Sequence, residues 1–367
     1  MKCRVLAPEA ALEDLAEGQP NLVLAFLPPR PDQDGALGRL RERFPDVEIA
    51  GCEAVTQFRG GELAREGCLQ LFSWEHGEVT PWVELLADPE GIDDRTMERI
   101  AGQIAELDAV FLLADGLHFP VQELLRRLRR VAPGPLPRVA GGLASQAEPV
   151  TGPGARVFAG GRVHEGSAVL VGLPRIEAEL LVVRGWDAAS PVAEVTRAEG
   201  NVLFEIDGAP ATLWFERFFR LPDGMAPMPE SAYRFPLIIE GSHSARKGLY
   251  RSMRFYDDPP GAVTFWGDLE TGDRVRLGIG NGASLARAAE GARSEGPVEA
   301  AVLYSCVGRQ QVLGEEGALE IRAVRRALGD VPLAGFFTFG EIGPSAGDGP
   351  SFYNHTAILC LLREAPA

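Results

Sequence analysis

With 367 residues, 46% of them hydrophobic, the chain can bury an extensive core, and its length suits two domains better than one. A formal net charge of −16 argues against a duplex nucleic-acid surface or an anionic membrane as partner. No apolar run reaches the length of a membrane-spanning helix, and residues 1–12 lack the apolar centre of a signal peptide, so a cytoplasmic setting is expected.

Residues 1–17 predict a short helix, broken at Pro20-Asn21. Residues 21–27 (NLVLAFL) form a short apolar run that predicts a buried strand. Residues 35–44 predict a helix with Leu37, Leu40 and Phe44 on one face. Residues 47–50 then predict a strand ending at Gly51-Cys52, and residues 68–74 another, with a turn at Arg59-Gly60-Gly61 between them. The pattern recurs. Residues 108–114 (DAVFLLA) predict a strand stopped at Asp115-Gly116, and residues 121–131 a helix with four arginines mostly outward. A strand at 138–140 leads into Gly141-Gly142, an extra strand at 156–159 precedes the Gly160-Gly161 turn, and residues 168–173 close the unit. From 233 to 267 the pattern loosens into strand-like pieces; a strand at 273–279 and a helix at 283–294 follow. A third copy starts with a strand at 300–305, a helix at 315–328 and a strand at 331–339. After the turn Gly340-Glu341-Ile342-Gly343, residues 355–362 form its last strand. Strand–helix–strand–strand, three times, predicts an α/β (α+β) protein of mixed sheets covered by helices, in two lobes. The Pro- and Gly-rich stretch from Leu221 to Pro229 divides it into residues 1–221 and 222–367.

Three spaced motifs in the third copy, CVGR at 306–309, GFF-x-x-GEIG at 335–343 and YNHT at 353–356, resemble the C-terminal half of the FIST family of sensory and signal-transduction proteins. Gly51-Cys52, Gly141-Gly142, the F-x-G-G-x-V hairpin at Phe158 and IDG-x-PA at Ile206 are similar to the family's N-terminal half. The resemblance covers nearly the whole chain. It implies a sensor that binds a small ligand and, with no output domain attached, passes the signal to a separate protein. One departure is marked: where the family has GCS-x-x-GE, this chain has Gly51-Cys52-Glu53-Ala54-Val55-Thr56-Gln57, which implies an altered ligand-facing turn.

Open α/β sheets build their pockets at the carboxyl ends of strands. Candidate ligand-binding residues are therefore Cys306, Gly308 and Arg309, Gly340 and Glu341, Asn354 of YNHT, Gly141-Gly142, and Asp115. Arg309 can hold a carboxylate bidentately, or pair with an acidic side chain of the protein. Glu341 can accept an ammonium, or cap loop N–H groups. If the two emerge at one rim, they suit a zwitterion such as an amino acid. Cys306 as a nucleophile needs a nearby base or cation; a buried small hydrophobe is the other reading. No Ser-His-Asp order or paired-carboxylate motif argues for an enzyme. The five cysteines form no C-x-x-C pair, which speaks against a zinc knuckle or a disulfide framework. No metal or other cofactor is expected. Some members of the family bind haem and sense nitric oxide; that would need an axial ligand from His76, His118, His164, His243 or His355, each of which also reads as a structural or surface residue. Gly278-Ile279-Gly280-Asn281-Gly282 can be a phosphate loop or a tight strand–helix turn.

Overall fold

The computed structural model describes residues 1–12, 19–75, 79–87, 92–136, 138–147, 154–219, 234–241, 246–314, 317–345 and 349–366. Each recurring unit builds the same frame. In the first, the fully buried strand Leu22–Leu27 runs parallel to Glu48–Glu53 and antiparallel to Cys68–Ser73, and helix Gln33–Arg43 carries the chain across. In the second, Ala109–Asp115 runs parallel to Arg138–Ala144 and antiparallel to Ala168–Leu173, with helix Val121–Val131 as the crossover. In the third, Ala300–Cys306 runs parallel to Leu333–Thr338 and antiparallel to Ala357–Glu364, with helices Val307–Leu313 and Ala318–Leu328 between the parallel pair. These first strands are continuous apolar runs because both of their faces are covered. A leading strand, Lys2–Leu6, Trp82–Leu86 or Ile176–Val183, extends each sheet on one side.

The other side of each sheet is supplied by a different unit. The hairpin at 57–64, from the first unit, adds to Leu333–Thr338 of the third. The hairpin at 157–164, from the second, adds to Glu48–Glu53 of the first. The hairpin at 341–353, from the third, adds to Arg138–Ala144 of the second. The exchange is cyclic, and it gives three six-stranded sheets of identical order. Their inner faces share one core that includes Phe26, Phe111, Tyr304 and Phe336. The helices pack outside, where each sheet has its own apolar cluster.

Register explains a glycine that recurs once per unit. Gly51 lies opposite Ala25, Gly141 opposite Leu112 and Gly335 opposite Leu303. A Cβ at any of the three would overlap the carbonyl oxygen of that partner. The neighbouring strand comes too close for a side chain.

The third unit is interrupted. Between Ile176–Val183 and Ala300–Cys306, the described strands from Asp187–Ala188 to Arg274–Ile279 form a separate nine-stranded antiparallel sheet, with helix Ala211–Phe219 beside it. The glycine-rich turn at 278–282 is a strand–helix connection: Asn281 and Ser284 cap helix Gly282–Glu290 reciprocally.

The mixed α/β architecture and its three units agree with the sequence. Locally, the short helix expected within residues 1–17 is Pro8–Leu12, and the strand Lys2–Leu6 that precedes it, paired with Cys68–Ser73, was not expected. The expected division near Leu221 falls outside the described residues, and strands from either side of it pair within shared sheets.

Candidate functional site

The carboxyl end of Ala300–Cys306 opens on a cleft of about 200 Å³. The segments following all three second strands reach it, through Val55, Ala147 and Phe339. Ser252 and Trp266 close it from the inserted sheet. Trp266 stacks on Phe339, with centroids 6.4 Å apart and planes at 21°, and the Arg254 guanidinium sits 4.4 Å over the Trp266 ring. The cleft thus lies where the units converge, at the strand ends that the α/β rule favours.

Of the residues the sequence singled out, Cys306, Gly308 and Asn354 line this cleft. Asn354 is fully buried; its Oδ1 accepts the Ser252 N–H at 3.4 Å, while its Nδ2 has no partner among the described residues. Gly308 is required by packing: a Cβ there would come within 2.8 Å of the His355 ring. His355 has a left-handed backbone (φ 57°) and is fully buried, with its ring edge-on to Trp186. Burial and the nearby Arg309 push its pKa down to about 3, so the ring is neutral.

Arg309 does not emerge at the rim. Its side chain is fully buried, forks onto Glu320 through Nε and Nη2, and donates through Nη1 to the carbonyls of Arg184 and His355. Ser305 Oγ donates to the other Glu320 oxygen at 2.8 Å. All three guanidinium nitrogens are engaged inside the protein and the side chain is buried, so the expected pairing of Arg309 and Glu341 around a zwitterion at one rim is not built. The reason is Glu320 at the start of helix Ala318–Leu328, which sits on the helix's buried face with Ile321 and Val324.

Glu341 is also fully buried. Its Oε2 accepts the Thr356 N–H (3.0 Å) and hydroxyl (2.6 Å), and its Oε1 has no hydrogen-bond partner among the described residues. Burial raises its pKa to about 8, against the pull of the Thr356 donors and of Arg309. The Cys306 thiol beside it is pushed well above the usual thiol range, by burial first and then by Glu341. At neutral pH the cleft is therefore lined by an inert Cys306 thiol, with a largely protonated Glu341 carboxyl buried behind it. A carboxyl whose folded pKa exceeds its unfolded value of 4.5 stabilises the fold below pH 4.5, and that contribution is lost as pH rises through about 8. Stability of the native chain should therefore fall across that window relative to Glu341→Gln, by at most about 1.4 kcal/mol per pH unit. Denaturant melts of both proteins at a series of pH values check this; parallel curves would count against a protonated Glu341.

The remaining candidates organise the surroundings. Gly142 and Gly340 meet at the exchanged hairpin: Leu143 donates its N–H to Gly340 O at 2.9 Å, and a Cβ on Gly142 would press on Thr338. Asp115, nearly fully buried, accepts the Leu117 N–H at 2.9 Å and contacts His118 Nδ1 at 3.0 Å, holding its loop. The altered turn after Gly51 does reach the cleft, through Val55. Within it Glu53 pairs with Arg156, and Gln57, at the register position equivalent to Glu341, donates to Ala54 O. Sequence reasoning missed Gln146, Ser252, Trp266, Gln310 and Gln311, which line the cleft without belonging to any motif.

Haem does not fit this cleft. The space is small for a macrocycle, and no described histidine lines it. His118 stands in another loop and His164 ends the strand Arg162–His164, while His76 and His243 lie outside the described residues. No group of three or more His, Cys, Asp or Glu among the described residues could hold a metal ion, and no described helix is long and apolar enough to cross a membrane.

Comparison with known proteins agrees with this architecture. A family model for the FIST N domain matches residues 21–209, and one for the FIST C domain matches residues 218–344. An uncharacterised protein of Mycobacterium tuberculosis is 30% identical over 270 residues, which are 70% of this chain and 68% of the relative. An uncharacterised protein of Mycobacterium bovis is 26% identical over 272 residues, with the same coverage of both chains. Matches of this extent show that the chain belongs to the FIST family, whose domains are associated with sensory signal transduction.

Proposed function

We propose that this chain is a cytoplasmic sensor of a small polar metabolite, an amino acid or a close relative, and that a separate signalling protein reads its bound state. The supporting observation is the Asn354 amide, buried, aimed into the cleft and lacking an acceptor for its Nδ2 among the described residues. An unsatisfied buried donor costs about 1–3 kcal/mol, and a ligand carbonyl or carboxylate oxygen would relieve it. Trp266 and Phe339 offer an apolar wall to the rest of such a ligand, and Gln310 and Gln311 offer amides at the mouth. The volume suits a metabolite better than a drug-sized molecule. A cytoplasmic setting accords with five free cysteines, four of them buried. Catalysis by Cys306 is not favoured, because its thiol is held protonated and the one carboxyl beside it is itself largely protonated.

A thermal-shift screen of amino acids and related metabolites should find a ligand that raises the melting temperature. Asn354→Ala should then weaken that ligand about tenfold or more in calorimetric titration, with the free protein still folded. A ligand whose affinity is unchanged in Asn354→Ala does not bind in this cleft, and a screen with no shift at all would remove the reading.

A further inference from the structure

A second and larger cavity, about 620 Å³, lies on the other side of the segments that wall the cleft: Ser252 and Trp266 face the cleft, whereas Arg251 and Asp268 face the cavity. Helix Val121–Val131 contributes Gln122, Arg126, Arg129 and Arg130 from adjacent turns, and Arg246 and Arg251 come from the inserted region. Five arginines thus line one cavity in a chain of net charge −16. Three of them are neutralised: Arg126 by Glu123 and Asp268, Arg130 by Asp94, and Arg246 by Glu270 and Asp273. Arg129 and Arg251 have no carboxylate partner among the described residues.

Arg251 is the unusual one. It is only 2% exposed. Its Nε donates to Asp268 O at 2.8 Å and its Nη1 to the carbonyls of Tyr250 (2.9 Å) and Phe352 (3.3 Å), which leaves Nη2 without a partner among the described residues. Gly267 makes room for it, since a Cβ there would come within 2.7 Å of Nε. Burial and Arg246 lower its pKa to about 10. The preference of a helix's last turn for cations accounts for Arg129 and Arg130, but not for a buried arginine on another element facing the same space. Buried charges are ordinarily paired, and a guanidinium held by carbonyls at Nε and Nη1 still presents the two N–H groups of its Nη2 to an anion.

We propose that this cavity binds a small polyanion, a metabolite bearing at least two phosphate or carboxylate groups, bridged between Arg251 and Arg129. The concave shape favours a small molecule over a phosphorylated segment of another protein. The site is independent of the ligand cleft and does not rest on its assignment.

The test is calorimetric titration of the full chain, in a buffer free of phosphate and sulfate, with pyrophosphate and separately with citrate. At least one should bind saturably, and the arm that binds identifies the anionic group. Arg129→Gln, an exposed change that spares the fold, should weaken binding about tenfold, and the same substitution at the exposed Arg39 on helix Gln33–Arg43 should not. Arg251→Gln should abolish binding, provided its melting curve shows it folded; Arg129→Gln decides the matter if it does not. Failure of both anions to bind, equal binding in Arg129→Gln, or an equal loss in Arg39→Gln would each overturn the site.

Discussion

Arg309→Ala should destabilise the fold by about 3–5 kcal/mol, because it leaves Glu320 as an uncompensated charge in the core. Two carbonyls, of Arg184 and His355, would lose their donor at the same time. The loss would appear as an earlier denaturant midpoint with an unchanged slope. Replacing the pair together, Arg309→Met with Glu320→Leu, should recover part of it, since apolar side chains of similar volume often substitute for a buried ion pair at little cost. A side chain whose role was to hold ligand would behave oppositely, with stability kept and affinity lost. Full stability of Arg309→Ala would therefore return this residue to the list of ligand contacts.

Gly141→Ala should be at least as damaging, with about 3 kcal/mol or more lost. The added methyl would overlap the Leu112 carbonyl oxygen, which is backbone and cannot swing aside. Relief requires parting Ala109–Asp115 from Arg138–Ala144 at the centre of a sheet. Gly102→Ala is the control: on helix Asp94–Ala105 a Cβ at Gly102 meets nothing within 4 Å, and the change should stabilise by about 0.5–1 kcal/mol. Expression and melting temperature of the two variants distinguish steric exclusion from a general intolerance of alanine. Should Gly141→Ala melt like the native chain, the strands are less closely apposed than described.

The frame of each unit was legible because its signals are local. Leu22–Leu27, Ala109–Asp115 and Ala300–Cys306 are uninterrupted apolar runs, and the crossover helices Gln33–Arg43 and Val121–Val131 show apolar residues on one side. The three copies were visible for the same reason. The exchange of hairpins was not, since nothing in residues 57–64 states that their partner is Leu333–Thr338; three- and four-residue strands carry almost no pairing information of their own. At the site, Cys306, Gly308 and Asn354 were found because motif positions and strand ends coincide. Arg309 was misplaced because its environment is set by Glu320, whose buried position can be seen only when the helix is packed. The arginines of helix Val121–Val131 read as a solvated face, and only the inserted region turns that face into a cavity wall.

The ring of exchanged hairpins also sets the order in which this protein can become itself. As the chain leaves the ribosome, the first unit displays Glu48–Glu53 as a bare edge, buried on most of its length in the finished protein, until the hairpin at 157–164 arrives. The second unit waits in the same way for the hairpin at 341–353, and the first unit's own hairpin waits for Leu333–Thr338. Pairings between such distant segments make folding slow and leave adhesive edges open in the interval. Closure, when it comes, is shared: no unit can release its neighbour without opening its own sheet, so three similar modules melt as one body rather than as beads on a string.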